Sequence, residues 1–353
     1  MLTGELRNQI DSIWNDFWSG GLSNPLQVIE QITYLIFIKR LDDMQQVEEL
    51  KSTTLGQPLE RRIFPEGYDG IAKPGDPDKR GEPYENLRWS KFKNFEPREM
   101  FRIVEEHVFP FIRALNGMGS AYAQHMRDAR FQIPSAQLLA KVVDKLDKLE
   151  MRDRDTKGDV YEYMLAKIAT AGQNGQFRTP RHIIAMMVEL VAPKPEDIVC
   201  DPACGTCGFL VAVGEYLREH DQKLFQSDRL RRHFHEKLFN GFDFDPTMLR
   251  IGAMNMVLHG VEGANIAYRD SLAEEHGEDS GRYSLVLANP PFAGSLDYES
   301  TAKDLLRVVK TKKTELLFLA LFLRLLKIGG VFEHADVVRL VDILRKIEAR
   351  SAA

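Results

Sequence analysis

The sequence has few cysteines and no excess of positive charge. Only three cysteines occur in 353 residues, and Cys200, Cys204 and Cys207 lie within eight positions of the chain. Because an odd, clustered set does not form a disulfide framework, we expect a reducing compartment. The 47 basic and 52 acidic side chains give a net charge of −5. A protein that binds nucleic acid mainly through phosphate contacts is usually basic, so a nucleic acid would need a local basic patch or a separate subunit.

Leader sequences, long apolar runs and repeats are also missing. Residues 1–14 contain no apolar core of the kind that a secretory signal requires. The apolar runs at 36–38 and 316–322 are too short to span a bilayer. We therefore expect a cytoplasmic protein with no membrane segment. With 44% apolar and 28% charged residues, the composition is that of a globular chain of about two domains.

Residues 1–157 have the periodicity of α-helices. Asn24 followed by Pro25 predicts a helix start, because a capping side chain precedes a residue whose missing N–H costs nothing there. Apolar residues continue at helical spacing to Met44, and the pattern returns over 98–115, where Pro110 should kink it, and over 135–149. Between Gly56 and Pro83, five glycines and five prolines in 28 residues predict a long loop.

From residue 158 onwards, short apolar runs alternate with helical stretches. The charged segment 151–157 precedes this change of pattern. Strands are predicted at 197–201, 238–243, 265–268 and 284–288. Strands that alternate with helices form a mostly parallel sheet, and such sheets bind ligands at the carboxyl ends of their strands. The candidate functional residues are therefore those that follow each run.

The motif Asn289-Pro290-Pro291-Phe292 directly follows the last predicted strand. Its two prolines fix φ and remove two N–H donors, so the loop presents the side-chain carbonyl of Asn289 and the backbone carbonyl of Pro290 as acceptors. Two fixed acceptors suit an exocyclic amino group, because binding both hydrogens turns the nitrogen lone pair outward as a nucleophile. Phe292 offers an aromatic face to a planar base. Taken alone, the four residues are equally compatible with an ordinary turn.

A segment of small residues follows the first predicted strand, from Asp201 to Gly208. Small residues let the backbone approach a ligand, and the helix that follows offers free N–H groups at its start. The spacing is not that of the GxGxxG dinucleotide signature. A zinc site built from the three cysteines is the competing interpretation. No fourth ligand lies close by and paired C-x2-C knuckles are absent, so we expect no metal site.

Acidic residues end two further predicted strands. Asp243 stands where nucleotide-binding folds hold a pair of ribose hydroxyls, and Asp270 is placed to accept from an adenine amino group. Each of them, taken singly, is also compatible with a helix or turn cap. Upstream, Thr179 before Pro180 either caps the next helix or, since a helix start favours a carboxylate, marks where the amino-acid end of a ligand binds.

The chain resembles the amino-methyltransferases that act on adenine N6 in DNA. Four segments carry this resemblance by their order along the chain: 175–181, 201–210, 241–243 and 289–292. More narrowly, the chain resembles the modification subunit of type I restriction-modification systems. Three further segments support the narrower resemblance, at 20–35, 158–164 and 172–181. The resemblance extends over roughly residues 8–330.

The resemblance implies an α/β fold: a Rossmann-like, S-adenosylmethionine-dependent methyltransferase sheet with an N-terminal α-helical domain. Residues 1–157 would form the helical domain with DNA and partner contacts, and residues 158–353 the catalytic domain. S-adenosylmethionine would be the cofactor and double-stranded DNA the substrate. The partners would be a specificity subunit, a second modification subunit and a restriction subunit.

The resemblance also implies a role for each matching residue. The cofactor would be bound by Gln176, Phe177, Arg178, Thr179, Pro180, Arg181, Asp201, Gly205, Thr206, Cys207, Gly208, Asp243 and Asp270. Within this set, Thr179 would lie near the cofactor carboxylate, Asp243 near the ribose hydroxyls and Asp270 near the adenine. A flipped-out target adenine would be received by the catalytic residues Asn289, Pro290, Pro291 and Phe292.

Two features depart from the family pattern. Cys207 stands where the family has glycine or another very small residue. After Gly330 the family continues with a core strand and a hairpin, whereas here residues 331–335 are followed by a helical pattern over 337–349. We therefore expect the sheet to be incomplete after residue 330. Two alternatives stay open: a non-catalytic, C-terminally truncated cofactor-binding or assembly remnant, and an amino-methyltransferase acting on RNA or protein.

A local basic patch follows the Asn-Pro-Pro-Phe motif. Residues 303–313 contain five basic side chains and one acidic side chain. The patch is placed to touch DNA backbone phosphates, and a solvated charged loop is the alternative. No helix that would recognise base edges is evident, which agrees with a separate specificity subunit.

Overall fold

The computed structural model of the protein describes residues 4–56, 58–59, 62–71, 80–115, 125–149, 160–161, 163–167, 179–261, 263–273, 279–291, 301–309, 311 and 313–334. The chain divides into two compact units. The first contains residues 1–119 and 123–171, and the second contains residues 120–122 and 172–353. Residues 160–161 and 163–167 therefore group with the first unit, whereas the boundary predicted after residue 157 places them in the catalytic domain.

The first unit is built from helices. These are α1 (Gly4–Ser19), α2 (Pro25–Leu55), α3 (Trp89–Phe92), α4 (Pro97–Ile103), α5 (Phe109–Ala114) and α6 (Ala136–Lys148). A 3₁₀ turn, Tyr84–Leu87, precedes α3. The predicted start of α2 is confirmed, since the Asn24 side chain accepts a hydrogen bond from the Leu26 N–H at 2.9 Å. The helix ends at Gly56, whose φ of 64° is left-handed.

The helical pattern predicted over 98–115 is interrupted close to Pro110. Here a π-helical turn, Val104–Val108, joins α4 to α5, which begins at Phe109. Pro110 has no N–H to continue the α-helical ladder, and a wider turn before it accommodates this loss. The π turn contains His107, which is buried and whose Nδ1 lies 2.6 Å from Asp69 Oδ2. This contact connects the helix to the glycine- and proline-rich loop.

The second unit contains a parallel sheet of five strands. They are β1 (Val199–Asp201), β2 (Phe239–Asp243), β3 (Asn265–Tyr268), β4 (Tyr283–Ala288) and β5 (Leu326–His334). Their order across the sheet is β3-β2-β1-β4-β5, and every neighbouring pair is parallel. The α/β fold and the four predicted strands are confirmed. The strand order reverses between β1 and β4, which is where open sheets of this kind bind ligands.

The sheet continues past residue 330. Leu326 pairs with Tyr283 and Val331 pairs with Leu285, so four residues on β5 bulge out opposite a single residue of β4. Gly329, with φ of 79°, lies in this bulge, and pairing resumes as far as His334. The described sheet therefore has five strands, and β5 extends four residues beyond Gly330. The helical pattern predicted over 337–349 lies outside the described residues.

The described part of the second unit contains six helices, one before β1 and five between strands. They are α7 (Arg181–Val191), α8 (Gly208–His220), α9 (Asp228–Glu236), α10 (Pro246–Leu258), α11 (Lys303–Val308) and α12 (Thr314–Leu325). The buried face of α12, including Leu317 and Leu321, packs with Val286 of β4 in one hydrophobic core. None of the helices in the described part of the chain has the length and hydrophobicity of a membrane span.

Candidate active site

The 201–208 turn joins the end of β1 to the start of α8. Two of its residues have left-handed backbone: Gly205 with φ of 48° and Cys207 with φ of 61°. A Cβ added at Gly205 would meet no atom within 4 Å, so this side of the turn faces open space. Cys207 caps α8 without a side-chain hydrogen bond. Its positive φ gives a physical reason for the small residue of the family pattern, because a side chain is strained in this conformation.

Asp243 connects the end of β2 to this turn. Its Oδ2 accepts a hydrogen bond from the Gly205 N–H and its Oδ1 accepts one from the Asp245 N–H, both at 2.9 Å. The side chain is half-buried, and burial raises the pKa of its carboxyl. A carboxylate has about four lone-pair sites, and the backbone N–H groups of Gly205, Phe244 and Asp245 leave at least one of them open. The carboxylate is therefore held in place and still able to accept hydrogen bonds from a ligand.

Asp201 is buried, with 1% of its surface exposed. Its Oδ1 accepts a hydrogen bond from the Ala203 N–H at 3.1 Å. Burial, with a smaller contribution from the charge of Asp243, outweighs this hydrogen bond and raises the pKa of Asp201 to about 8. Asp201 therefore shapes the turn from inside, and its carboxyl holds a proton at neutral pH.

Asp270 follows β3 and is exposed. Its Oδ1 accepts a hydrogen bond from the Leu272 N–H at 3.0 Å, as the turn-cap interpretation predicts. The neighbouring Ser271 donates from Oγ to the Pro202 carbonyl at 2.6 Å. This bond, which the sequence analysis missed, ties the segment containing Asp270 to the 201–208 turn.

The 289–291 loop follows β4, and β4 is the neighbour of β1 in the sheet. Val199 pairs with Leu285 and Cys200 with Val286, so this loop and the 201–208 turn leave the sheet at the same edge. Asn289 is half-buried, Pro290 buried and Pro291 exposed. Phe292 lies outside the described residues.

The upstream segment is described from Thr179 onwards; Gln176, Phe177 and Arg178 lie outside the described residues. Pro180 occupies the cap position of α7 and makes no side-chain hydrogen bond there, so Thr179 does not cap this helix. Arg181 Nη2 lies 3.2 Å from Glu215 Oε1 of α8. This ion pair connects the start of α7 to the helix that follows the turn.

The cysteines are three buried free thiols. Burial raises the pKa of Cys200, and a hydrogen bond with Cys207 together with burial raises the pKa of Cys204. These environments favour the neutral thiol, whereas zinc binds the thiolate. Among the described residues, no group of three or more His, Cys, Asp or Glu side chains is arranged to hold a metal ion.

The geometry of this edge fits a ligand with a hydroxyl pair and an anionic end. Asp243 presents carboxylate lone pairs, Gly205 leaves room for close approach, and the start of α8 presents N–H groups without a side-chain cap. Beside it, the 289–291 loop offers the Asn289 side-chain carbonyl and the Pro290 backbone carbonyl as acceptors, and its two prolines carry no N–H donor. The fold and this edge define an α/β domain with space for a ligand at the carboxyl ends of its strands, beside the 289–291 loop.

Comparison with protein families agrees with this class. The family model described as N-6 DNA methylase matches residues 152–339, more than half of the chain, and the HsdM N-terminal domain matches residues 6–146. The protein belongs to the N-6 DNA methylase family. The two matches divide the chain between residues 146 and 152, close to the predicted boundary after residue 157.

Similar proteins are methylase subunits of type I restriction enzymes. The EcoEI methylase subunit of Escherichia coli is 24% identical over 314 residues, which cover 88% of this chain and 60% of the relative. The StySPI methylase subunit of Salmonella potsdam is 29% identical over 265 residues, covering 70% and 48%. A chain in a structure of a type I restriction-modification system superposes with a TM-score of 0.65 at 25% identity, covering 91% of this chain and 61% of that one. The protein spans about half the length of the curated relatives it matches.

Proposed function

We propose that the protein is an adenine-specific DNA methyltransferase that transfers a methyl group from S-adenosylmethionine to adenine N6, as the modification subunit of a type I restriction-modification complex. One observation carries the proposal. The 289–291 loop, with its two carbonyl acceptors and two prolines, leaves the sheet at the same edge as the 201–208 turn to which Asp243 is bonded, and the strand order reverses there. Membership of the N-6 DNA methylase family supports the same chemistry.

The cofactor is held by the 201–208 turn and its neighbours. Asp243 would accept hydrogen bonds from the ribose hydroxyls, and Asp270 would accept one from the adenine amino group. The small residues of the turn and the segment 176–181 would complete the cofactor site; the turn residues are Gly205, Thr206, Cys207 and Gly208. Bound S-adenosylmethionine supplies a methyl group on a sulfonium, which is a good leaving group.

The target base is oriented by the 289–291 loop and Phe292. The Asn289 side-chain oxygen and the Pro290 backbone oxygen accept the two N6 hydrogens of a flipped-out adenine, and the Phe292 ring stacks on the base. This arrangement would leave the N6 lone pair free to take the methyl group that bound S-adenosylmethionine supplies. The N–C bond would form as the S–C bond breaks, and one N6 proton would pass to water. Positioning of the two reactants supplies much of the rate.

Sequence recognition is assigned to a separate specificity subunit. The relatives are named as subunits, and the net charge of −5 provides no general attraction for duplex DNA. In the proposed complex, two modification subunits act with a specificity subunit, and a restriction subunit joins them.

Calorimetric titration of the purified chain with S-adenosylmethionine tests the cofactor assignment, with NAD as the control ligand. We expect saturable one-to-one binding of S-adenosylmethionine alone. The Asp243→Ala variant should bind more weakly by roughly 1–3 kcal/mol, because it loses charge-assisted hydrogen bonds. Asp228→Ala, which alters an exposed acid at the start of α9, is the matched control and should bind normally. Equal binding by both variants would remove Asp243 from the site.

Transfer of labelled methyl groups tests the substrate. With a specificity subunit added, we expect label in duplex DNA at adenine N6. Label in RNA or protein would favour a different amino-methyltransferase. A folded chain that does not bind S-adenosylmethionine would favour the non-catalytic alternative.

A further inference from the structure

A buried asparagine on α10 binds the 201–208 turn. Asn255 Nδ2 donates a hydrogen bond to the Thr206 carbonyl at 2.9 Å, and the Asn255 side chain has no exposed surface. The Thr206 carbonyl lies between the two left-handed residues of the turn, Gly205 and Cys207. The bond therefore holds the turn between its two left-handed residues.

Backbone contact between α10 and the turn occurs one helical turn earlier. A Cβ added at Gly252 would lie 2.7 Å from Cys207 Sγ and 2.8 Å from the Gly205 carbonyl oxygen. No side chain larger than hydrogen fits there without displacing one of them. Gly252 and Asn255 are three residues apart, so they lie on the same face of the helix. This face is the surface on which the turn rests.

The helix that follows the turn is also connected to α10. His259 lies one turn beyond Asn255, and its Nδ1 is 2.8 Å from the Asn255 carbonyl oxygen. Since a carbonyl only accepts, Nδ1 carries the proton. The His259 Nε2 lies 3.5 Å from Glu215 Oε1 of α8, and this contact is an ion pair only when Nε2 is protonated as well. The turn is thus held by one face of α10, and the helix it starts lies beside that face.

We propose that Asn255 is a positioning residue for S-adenosylmethionine, an inference that rests on the proposed function. It does not touch the cofactor. Left-handed non-glycine residues persist only where their surroundings hold them. By fixing the Thr206 carbonyl, Asn255 keeps Cys207 left-handed, which turns the N–H groups at the start of α8 and the open side of Gly205 toward the ligand.

The test compares Asn255→Ala with a matched control, Asn240→Ala. Asn240 is also buried, and its Nδ2 donates to the Val199 carbonyl at 3.1 Å and the Lys237 carbonyl at 3.2 Å near the start of β2. Asn255→Ala loses one buried amide-to-carbonyl bond and Asn240→Ala loses at least two, so both should melt at a lower temperature, Asn240→Ala by at least as much. Only Asn255→Ala should weaken S-adenosylmethionine binding, by about tenfold, in titrations of the folded full chain. A residue with a merely structural role would lower the melting temperature without this selective effect.

Asn255→Ser is the second variant in case the alanine protein does not fold. A serine hydroxyl in a helix bonds to the carbonyl one turn back, so it removes the bond to Thr206 without burying an unpaired group of its own. Normal cofactor affinity in a folded Asn255 variant, or equal losses in Asn255→Ala and Asn240→Ala, would overturn the positioning role and leave the proposed function standing. Failure of the folded wild-type chain to bind S-adenosylmethionine would overturn the proposed function, and this inference with it.

Discussion

Asn289 is the residue on which the proposed transfer depends most directly. In Asn289→Ala, an N6 hydrogen of the adenine loses its acceptor and the lone pair loses its direction. Methylation by the complex should fall by about 10²- to 10³-fold, a loss typical of removing one polar contact to the reacting group. Cofactor binding should stay nearly unchanged, because Asn289 follows β4 whereas the cofactor turn follows β1.

The two effects are separated by measuring methyl transfer and calorimetric binding on the same preparation. Asn265→Ala, which alters an exposed asparagine at the start of β3, serves as the control and should methylate normally. Equal loss of methylation and of cofactor binding in Asn289→Ala would contradict the assigned role.

Asp201 predicts a pH dependence of stability. Its pKa is about 8 in the folded protein, whereas an unfolded aspartate titrates near 3.9. Between these values the folded state binds one more proton than the unfolded state. The contribution of Asp201 to stability is therefore full below pH 4 and is lost as the pH rises toward 8, by up to about 1.4 kcal/mol per pH unit.

The Asp201→Asn variant cannot bind this proton, and its side-chain oxygen can still accept the hydrogen bond from Ala203. Urea unfolding from pH 5 to pH 8 should show a smaller loss of stability in Asp201→Asn than in the wild type. Asp228→Asn, at an exposed position, should follow the wild type. Parallel pH profiles for wild type and Asp201→Asn would show that Asp201 is ionised in the folded protein.

The sequence predicts a residue's position better than its contacts. Asp243 ends β2 and Asp270 follows β3, as predicted, because strand ends are visible in the apolar pattern. The anchoring residues Ser271 and Asn255 were missed. Their partners, Pro202 and Thr206, are 69 and 49 residues away along the chain, so only the folded sheet brings them together. The functional roles of these acids stay predictions.

The start of α2 allows a direct test of how much a helix cap adds to stability. The Asn24 side chain is exposed and accepts a hydrogen bond from the Leu26 N–H. Asn24→Ala should therefore lower the free energy of unfolding by about 1 kcal/mol. Asn24→Asp keeps the acceptor and should be nearly neutral. Urea titrations of the three proteins give the comparison, and an unchanged midpoint in Asn24→Ala would mean that the cap adds no stability.

Elements were predictable where a local signal marks them. The Asn-Pro pair marks α2, and apolar runs mark β1 to β4. The π-helical turn before Pro110 was predicted only as a kink, since proline shows where a ladder breaks but not how the chain accommodates it. The extension of β5 past Gly330 was not expected. Its bulge depends on pairing with β4, which no local pattern contains.

The order of the strands in the sheet could not be predicted from the sequence. Alternation of strands and helices indicates a parallel sheet, yet the placement of β4 beside β1 follows from packing over the complete unit. This placement brings the 289–291 loop to the edge that carries the 201–208 turn.

The boundary between the two units also depends on packing that the sequence pattern does not contain. The helical periodicity of the sequence changes near residue 157, whereas the two compact units separate at residue 171. The boundary is later because residues 160–161 and 163–167 pack with the helices of the first unit. One such contact joins the hydroxyls of Thr33 and Tyr161, at 2.8 Å.

The charge of the whole chain predicts weak DNA binding without a partner. With a net charge of −5, the protein alone should bind duplex DNA only in the non-specific range, with Kd of about 10⁻⁴ to 10⁻⁶ M at physiological salt. Adding a specificity subunit should tighten binding to one site.

Arg307, exposed on α11 close to the 289–291 loop in sequence, is the candidate phosphate contact. Arg307→Ala should reduce the slope of log affinity against log salt by about 1, whereas Arg232→Ala, exposed on α9, should leave it unchanged.

Fluorescence anisotropy of a labelled duplex, repeated over a range of salt concentrations, measures both affinity and slope. Non-specific phosphate binding is lost steeply as salt rises, so a true contact at Arg307 has a signature that a change in folding does not produce. Tight, sequence-selective binding by the chain alone would place base recognition within it and remove the need for a specificity subunit. Identical slopes for the two arginine variants would instead make the 303–313 patch a solvated loop, and the DNA backbone would then be held by other surfaces of the complex.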